Sequence, residues 1–190
     1  MNFILSKEEF EKEKDIIKRK IAEEDAVFIY PTDTIYGIGC NALSSTAVQK
    51  IRDIKHRSKN PFSIIAPSKE WIGENCIVNN NAQEWIKRLP GPYTLILKKK
   101  NECVSNEVAP DKDSLGVRIP DHWFFQFVNE IGIPIVSTSV NITRKDFMTS
   151  LEDLDPEVKS KVDFIIYDGP KEGRPSKIID LTDEVKVTER

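Results

Sequence analysis

The sequence predicts one α/β domain of the α+β type, built on a twisted mixed β-sheet flanked by helices. Short apolar segments typical of strands alternate along the chain with amphipathic segments typical of helices. Several connections are too short to hold a crossover helix, so antiparallel strand pairs must accompany parallel ones. The length of 190 residues fits a single domain, 1–190, with one sizeable hydrophobic core.

In chain order, the predicted elements begin with a helix whose start is marked by a capping box of Ser6 and Glu9. Ser44 or Ser45 caps the next helix, which carries an apolar face as far as the basic cluster around Lys55. Polar residues over 101–114 predict a long loop. We expect helices over 6–25, 44–57, 81–89, 120–131 and 151–162, and strands over 27–30, 62–66, 93–97, 116–119, 133–136, 163–167 and 176–181.

The composition is that of an ordinary globular protein. A net charge of -3, with 31% charged and 39% hydrophobic residues, argues against disorder and against a protein that mainly coats nucleic acid. Cys40, Cys76 and Cys103 form no CxxC pair, which favours reduced thiols in the cytoplasm. No apolar run approaches the roughly 18 residues that span a bilayer, so we expect a soluble protein with no membrane partner and no targeting segment.

Polar side chains suited to ligand binding occur in four segments: 32–34, Lys55 with Arg57, 137–141, and Arg118 with Ser176. The first segment follows an apolar strand, and it forms either a Pro-Asp turn or the floor of a binding site. The others also have ordinary roles, because terminal cations offset helix dipoles and hydroxyls cap helices. Each segment by itself therefore leaves both interpretations open.

The inventory of reactive groups excludes several classes of site. His56 and His122 are the only histidines and lie beside helix ends, which gives little support to a catalytic triad. The sequence contains no metal-ligand spacing, no P-loop and no GxGxxG motif. The remaining cations, hydroxyls and amide suit an anionic ligand, and they would act by positioning and charge stabilisation, as in nucleotidyl transfer.

Six ordered motifs give the chain a resemblance to the YrdC/TsaC family over about 26–182. They are PTDTIYGIG, IKHR with a following NPF, GPYTLIL, GVRIPDH, IPIVSTSVN and SKIIDLT. The resemblance implies a YrdC-like fold, with a deep, concave and positively charged cavity. It also implies synthesis of L-threonylcarbamoyladenylate from L-threonine, bicarbonate and ATP, with release of pyrophosphate, for threonylcarbamoyladenosine modification of tRNA.

The same resemblance implies roles for individual residues. Lys55 and Arg57 would be catalytic and face the phosphates, and Mg²⁺ would be held by the triphosphate and water rather than by protein ligands. Threonine would be bound by Thr34, Arg118, Ser137 and Ser176. ATP would be bound by Lys55, Arg57, Asn60, Ser114, Ser139, Asn141 and Arg190.

Departures from the family pattern keep alternatives open. Ile65 stands where the family usually has a histidine, Ser58 follows the basic pair in place of proline, and Thr138 replaces the proline of PSAN. The first alternative is a paralogue that adenylates another carbamoyl or carboxylate compound, and the second is a noncatalytic module that binds tRNA or double-stranded RNA. The expected partners are small-molecule substrates, tRNA and a downstream threonylcarbamoyl transferase.

Overall fold

The computed structural model describes residues 3–189, which form ten strands and seven α-helices. The strands are β1 (Phe3–Leu5), β2 (Phe28–Tyr30), β3 (Gly37–Gly39), β4 (Ser63–Ile65), β5 (Tyr93–Lys98), β6 (Ser114–Arg118), β7 (Ile135–Ser139), β8 (Phe164–Ile166), β9 (Lys177–Asp180) and β10 (Lys186–Thr188). The helices are α1 (Lys7–Lys12), α2 (Lys14–Glu23), α3 (Ser45–Lys55), α4 (Lys69–Asn75), α5 (Asn80–Lys87), α6 (Phe124–Ile131) and α7 (Pro156–Lys161). A short 3₁₀ helix, Asn106–Val108, lies in the loop before β6.

All ten strands join one mixed sheet, which confirms the predicted fold class. The strand order is β1-β8-β2-β3-β7-β4-β6-β5-β9-β10. The pairs β1–β8, β8–β2, β4–β6 and β5–β9 are parallel, and the other neighbours are antiparallel. Consecutive strands such as β4 and β5 are therefore separated in space, which brings distant parts of the sequence to one face.

Local signals in the sequence set where the first helices begin. Ser6 and Glu9 form the predicted capping box on α1, and the Ser44 side chain accepts a hydrogen bond from the Ala47 amide at the start of α3. The first helical segment differs from prediction in being divided at Glu13, which ends α1 and precedes α2. Its apolar face is buried as expected, because Phe10, Ile17 and Ile21 point into the core.

The two faces of the sheet are covered differently. One face, with Ile38, Ile64, Val117 and Val136, belongs to a large buried cluster that includes the apolar side of α3. On the opposite face, a smaller cluster covers only part of the sheet and joins α1, α2 and α6 through Phe10, Ile21, Phe28, Ile65, Phe124, Phe127 and Ile135. The aromatic residues Phe124 and Phe127 of α6 are thus part of the core, and the rest of this face is left for a cavity.

Some elements differ from the sequence prediction. The strands β1, β3 and β10 and the helix α4 are absent from the predicted set, and α7 covers only the second half of the predicted 151–162 helix. The hydroxyls of 137–139 lie within β7 instead of following it. Among residues 3–189, no helix combines the length and the apolar character needed to cross a membrane.

Candidate functional site

A cavity of about 550 Å³ lies on the face of the sheet that the smaller cluster leaves uncovered. Its floor contains a row of residues paired in register across five neighbouring strands: Asp180, Ile96, Gly116, Ser63 and Ser137. A side chain at Gly116 would meet Ser63 Oγ at 2.6 Å. The small residues of this central row therefore leave open a volume that larger side chains would fill.

The register separates two ends of the cavity. Ser114 and Arg118 begin and end β6, so their backbones are about 13 Å apart for an extended strand. We call the end near Ser114 the Arg57 end; it contains Arg57, Pro61, Ser114 and Ser139. We call the opposite end the Arg118 end; it contains Thr94, Arg118 and Ser176. The central row lies between the Arg57 end and the Arg118 end, because Gly116 is midway along β6 and is joined through Ser63 to Ser137.

Arg118 is buried at its end of the cavity and is held by side chains. Its Nη2 donates to Asp33 Oδ1 and to Thr34 Oγ1, each at 3.1 Å. The Arg118 and Asp33 side chains are only 8% and 10% exposed. Burial lowers the pKa of Arg118 while the Asp33 charge opposes that shift, and an arginine remains protonated at neutral pH.

One donor of Arg118 remains available. Its Nε is buried and makes no hydrogen bond with the part of the chain that the structure describes. A buried unpaired donor is destabilising, and an anionic group in the cavity would satisfy it. The Arg118 end therefore has the chemistry of a carboxylate site.

The segment 31–35 combines the two interpretations that the sequence left open. It is a turn, in which Thr32 Oγ1 donates to the Ile35 carbonyl at 2.7 Å and the Thr34 amide donates to Thr32 Oγ1 at 3.1 Å. The same turn presents Asp33 and Thr34 to Arg118, and Asp33 Oδ2 also accepts a hydrogen bond from the Asp121 amide at 3.1 Å. The turn thus fixes the guanidinium that lines the cavity.

The two glycines after this turn, Gly37 and Gly39, also have a packing role, and Gly37 lines the cavity. A Cβ at Gly37 or Gly39 would lie 2.7 Å from the ring of Tyr30. The Tyr30 hydroxyl donates to the Val136 carbonyl at 3.1 Å, and burial raises the pKa of Tyr30 to about 12. The glycines mainly make room for this buried ring beneath the sheet face.

Lys55 lies behind the Arg57 end and is only 2% exposed. Its Nζ donates to the Ser139 carbonyl at 2.5 Å, to the Asn141 carbonyl at 2.8 Å and to Asn141 Oδ1 at 2.9 Å. Burial, reinforced by the positive charge of Arg57, lowers the pKa of Lys55 to about 7. Ser139 Oγ also donates to Asn141 Oδ1 at 2.7 Å, so these three predicted residues form one connected group.

Arg57 follows α3 and reaches the cavity from the turn before β4. Its Nε donates to the Asn60 carbonyl at 3.2 Å and its Nη2 to the Pro61 carbonyl at 2.7 Å. The guanidinium also lies 5.0 Å from the ring centre of Phe62. Backbone oxygens and a ring face thus position this half-buried cation, whereas a carboxylate positions Arg118.

The structure brings most of the predicted site residues together. Six line the cavity: Arg57, Ser114, Arg118, Ser137, Ser139 and Ser176. Ser176 Oγ and Thr94 Oγ1 are 2.7 Å apart in the wall at the Arg118 end. Three others support these from behind, since Thr34 contacts Arg118 while Lys55 and Asn141 contact Ser139.

The last two predicted residues are placed less directly. Asn60 is exposed, and its carbonyl accepts the hydrogen bond from Arg57. Arg190 lies outside the residues that the structure describes. Ile65 is fully buried in the smaller cluster and is not part of the cavity lining, so the position of the family histidine is occupied here by core.

Several residues of the site escaped the sequence prediction. Lys112, from the long loop, and Asp180, from β9, both line the cavity. Asp33 was noted within the segment 32–34 but without a role of its own, and Arg52 was not noted at all. The signal for Arg52 is its position on the apolar side of α3, four residues after the buried Val48 and three before Lys55.

The charges of the lining favour an anion. Arg57, Lys112 and Arg118 contribute three positive charges against the one carboxylate of Asp180. Among the described residues, no group of three or more His, Cys, Asp or Glu side chains has the arrangement of a metal site.

This fold and this cavity define a family. The sequence model of the Sua5/YciO/YrdC family, described as telomere recombination, matches residues 20–190. The chain belongs to this family. It is 40% identical to a protein of Methanocaldococcus jannaschii named "Putative threonylcarbamoyl-AMP synthase", over 98% of this chain and 88% of that protein.

Two further relatives carry related descriptions. The "Threonylcarbamoyl-AMP synthase" of Bacillus subtilis is 31% identical over 88% of this chain and 50% of that protein. The crystal structure of P. abyssi Sua5 complexed with L-threonine has a TM-score of 0.82 and 31% identity, covering 95% of this chain and 54% of that one. The chain thus spans about half the length of both of these relatives.

Proposed function

We propose that this protein is a threonylcarbamoyl-AMP synthase, an enzyme of the nucleotidyltransferase type. The amine of L-threonine takes up bicarbonate with loss of water, and a carbamate oxygen attacks the α-phosphorus of ATP. A new P–O bond forms as the bond to pyrophosphate breaks, giving threonylcarbamoyl-AMP and pyrophosphate. The observation that carries the proposal is a single cavity with the buried guanidinium of Arg118 at one end and Arg57 with serine hydroxyls at the other.

The Arg118 end is proposed to hold threonine. The free Nε–H of Arg118 would donate to the amino-acid carboxylate, in a charge-assisted hydrogen bond. Thr34 would act through Arg118, because its Oγ1 already accepts a hydrogen bond from Nη2. Ser176 and Ser137 line the cavity beside this position and would orient the remaining polar groups of threonine.

The Arg57 end is proposed to hold MgATP as a substrate complex. Arg57, with Lys55 behind it, would stabilise the charge that develops on the phosphates. Ser114, Ser139 and Asn60 would orient the nucleotide, with Asn141 fixing Ser139 and Lys55 in place. Arg190 remains a proposed nucleotide contact from the family motif alone.

The central row is where the two substrates would meet. Its small side chains, Gly116, Ser63 and Ser137, leave room for the carbamate and the α-phosphate between the two ends. Holding both reactants in one cavity supplies proximity, which lowers the barrier without a nucleophilic side chain. Bicarbonate would be consumed at the same place.

The product defines the partners that we propose. Threonylcarbamoyl-AMP is a mixed anhydride and therefore a donor for a downstream threonylcarbamoyl transferase, with tRNA as the final acceptor. Cys40, Cys76 and Cys103 are all free thiols, which supports a cytoplasmic location for this step. The relatives named as synthases support this function over a paralogue with another substrate.

The test is pyrophosphate release from ATP in the presence of bicarbonate. We expect release to depend on L-threonine and to be much weaker with serine or glycine. Carbamoyl phosphate, supplied in place of threonine and bicarbonate, tests the paralogue directly. Release that is absent, independent of threonine, or supported only by carbamoyl phosphate would overturn the proposed function.

A further inference from the structure

Arg52, on the buried side of α3, makes an unusual set of hydrogen bonds. Its residue exposure is only 4%. Nη1 donates to the carbonyls of Arg57 (3.0 Å), Ser58 (3.1 Å) and Asn60 (3.3 Å), Nε and Nη2 donate to that of Glu107 (2.8 and 2.5 Å), and Nη2 donates to that of Val108 (3.5 Å). All of these partners are backbone oxygens.

These bonds join three segments that meet at the Arg57 end of the cavity. The first is α3 itself, the second is the turn 57–60, and the third is the 3₁₀ helix Asn106–Val108 in the loop that leads to Ser114. The Phe62 amide donates to the Val108 carbonyl at 2.8 Å, which ties the same loop to the start of β4. Arg52 is therefore the centre of this junction.

Arg52 also shares an aromatic ring with Arg57. The guanidinium carbon of Arg52 lies 4.6 Å from the ring centre of Phe62, and that of Arg57 lies 5.0 Å from the same centre. Phe62 is 2% exposed and lines the cavity. Arg52 thus contacts both the backbone of the turn that carries Arg57 and the Phe62 ring on which Arg57 stacks.

We propose that Arg52 is a positioning residue for the nucleotide, because it holds the turn that carries Arg57 and Asn60 in the geometry needed to contact the phosphates. This inference rests on the proposed function. A planar guanidinium with five donors is required, since it reaches several carbonyls at once, whereas a lysine ammonium is a compact charge on a flexible stem. The hydrogen bonds of Arg52 go to the turn 57–60 and to the 3₁₀ helix, whereas Arg118 donates to Asp33 and Thr34, so we expect threonine binding to be unaffected.

The experiment compares Arg52→Lys and Arg52→Met with the wild type. Arg88→Lys is the matched control, because Arg88 is an exposed arginine stacked on a ring, 4.3 Å from the centre of Trp85, and is not part of the cavity lining. We measure KM for ATP and for threonine, kcat for pyrophosphate release, and the thermal unfolding midpoint of each variant.

In Arg52→Lys we expect KM for ATP to rise by about 10- to 100-fold, while KM for threonine stays within about twofold of the wild type. Arg88→Lys should change neither. Arg52→Met leaves the carbonyls without donors; if it does not fold, the folded Arg52→Lys variant decides. An unchanged KM for ATP, or equal losses for both substrates in a folded Arg52→Lys protein, would overturn the inference.

Failure of the proposed function can be told apart from failure of this inference. If wild-type protein releases no pyrophosphate, the proposed function fails, and amide hydrogen exchange at Phe62 tests Arg52 instead. Faster exchange at Phe62 in Arg52→Lys, but not in Arg88→Lys, supports Arg52 as the holder of this junction. Exchange equal to that of the wild type contradicts it.

Discussion

The two ends of the cavity hold their cations in different ways. At the Arg118 end, the guanidinium is buried and is bound by the Asp33 carboxylate and the Thr34 hydroxyl. At the Arg57 end, the cations Arg57 and Lys55 are bound mainly by backbone carbonyls. One end therefore contains an arginine paired with a carboxylate, and the other contains two cations that donate to backbone carbonyls.

This difference matches what each end would bind. A neutralised pair with one free donor suits a small ligand with a single carboxylate, because orientation matters more there than total charge. A triphosphate carries several negative charges, so an end with two cations, Arg57 and Lys55, suits it better than an end with one. The predictions below disturb one end at a time, and each asks whether the other end is left unaffected.

The largest effect is expected for Arg118→Met. Threonine-dependent turnover should fall on the order of 1,000-fold, since the carboxylate loses its buried charged partner. Because Asp33 is then left unpaired at 10% exposure, the unfolding free energy should also fall, by about 3 kcal/mol. Steady-state kinetics and chemical denaturation measure the two effects.

The control for Arg118→Met is the double variant Asp33→Asn/Arg118→Met. Removing the unpaired carboxylate charge should restore most of the lost stability without restoring threonine turnover. ATP binding, measured by calorimetry, should be near that of the wild type in both proteins. A large loss of ATP affinity would show that the two ends are not independent.

A smaller but still strong effect is expected for Arg57→Ala. Pyrophosphate release should fall on the order of 100-fold because a charge on the phosphates is lost. The unfolding free energy should change by no more than about 1 kcal/mol, the size of a helix-dipole contribution. A large drop in the thermal midpoint with modest loss of activity would instead identify Arg57 as a helix-capping residue.

Gly173→Ala tests the wall of the Arg118 end. A Cβ at Gly173 would lie 1.9 Å from the Thr34 carbonyl oxygen, so the segment 168–175 must move away from Thr34. Such overpacking costs about 1–3 kcal/mol, and we expect KM for threonine to rise by roughly 10-fold. Gly73→Ala is the control, since its Cβ would meet nothing within 4 Å; equal effects of the two changes would contradict the prediction.

The smallest effect concerns the pH dependence of the Arg57 end. The pKa of Lys55 is about 7 in the folded protein against 10.5 for the ordinary side chain. Below pH 7, Lys55 is protonated in both the folded and the unfolded protein, so the folded protein carries the full cost of burying this charge. Above pH 7 the folded state releases this proton first, so the contribution of Lys55 to stability rises with pH up to about 10.5.

Activity, unlike stability, should fall as the pH rises, because Lys55 loses its charge. The kcat/KM for ATP is expected to fall above about pH 7, by at most about tenfold per pH unit. The fall in kcat should come at higher pH, since bound phosphates favour the charged form. The Lys55→Arg variant should not show this fall above pH 7. If kcat/KM for ATP in the wild type does not change with pH, a charged Lys55 has no role in nucleotide binding.

Much of the local structure could be predicted from the sequence, because the signals for it are local. The capping residues Ser6 and Ser44 and the apolar side of α3 are where the pattern places them. The short strands β1, β3 and β10 and the seven-residue α4 were missed. β1 and β10 are edge strands that each depend on one neighbour, and β3 contains two glycines, whereas the equally short β2, β4 and β8 were predicted from their apolar residues.

For the site, the sequence indicated the chemical groups but not their supports. Arg118 and Arg57 were singled out as ligands for anions, and their roles remain predictions. Asp33 was included in the segment 32–34, but its contact with Arg118 was not predicted, and Arg52 was not recognised. Each acts on a residue or turn that folding brings to it. Ile65 occupies the position of the family histidine, and only the structure shows that this residue is buried in the core.

By itself, then, the sequence determined the mixed α/β class, the amphipathic helices and the supply of cations and hydroxyls for an anionic ligand. Only the tertiary structure decided that Ser63, Gly116, Ser137 and Asp180 form one floor, and that Arg118 and Arg57 lie at opposite ends of it. The physical reason is that strand register is a nonlocal property. It depends on which strands pair and on which face is buried, and neither is encoded in the spacing of residues along the chain.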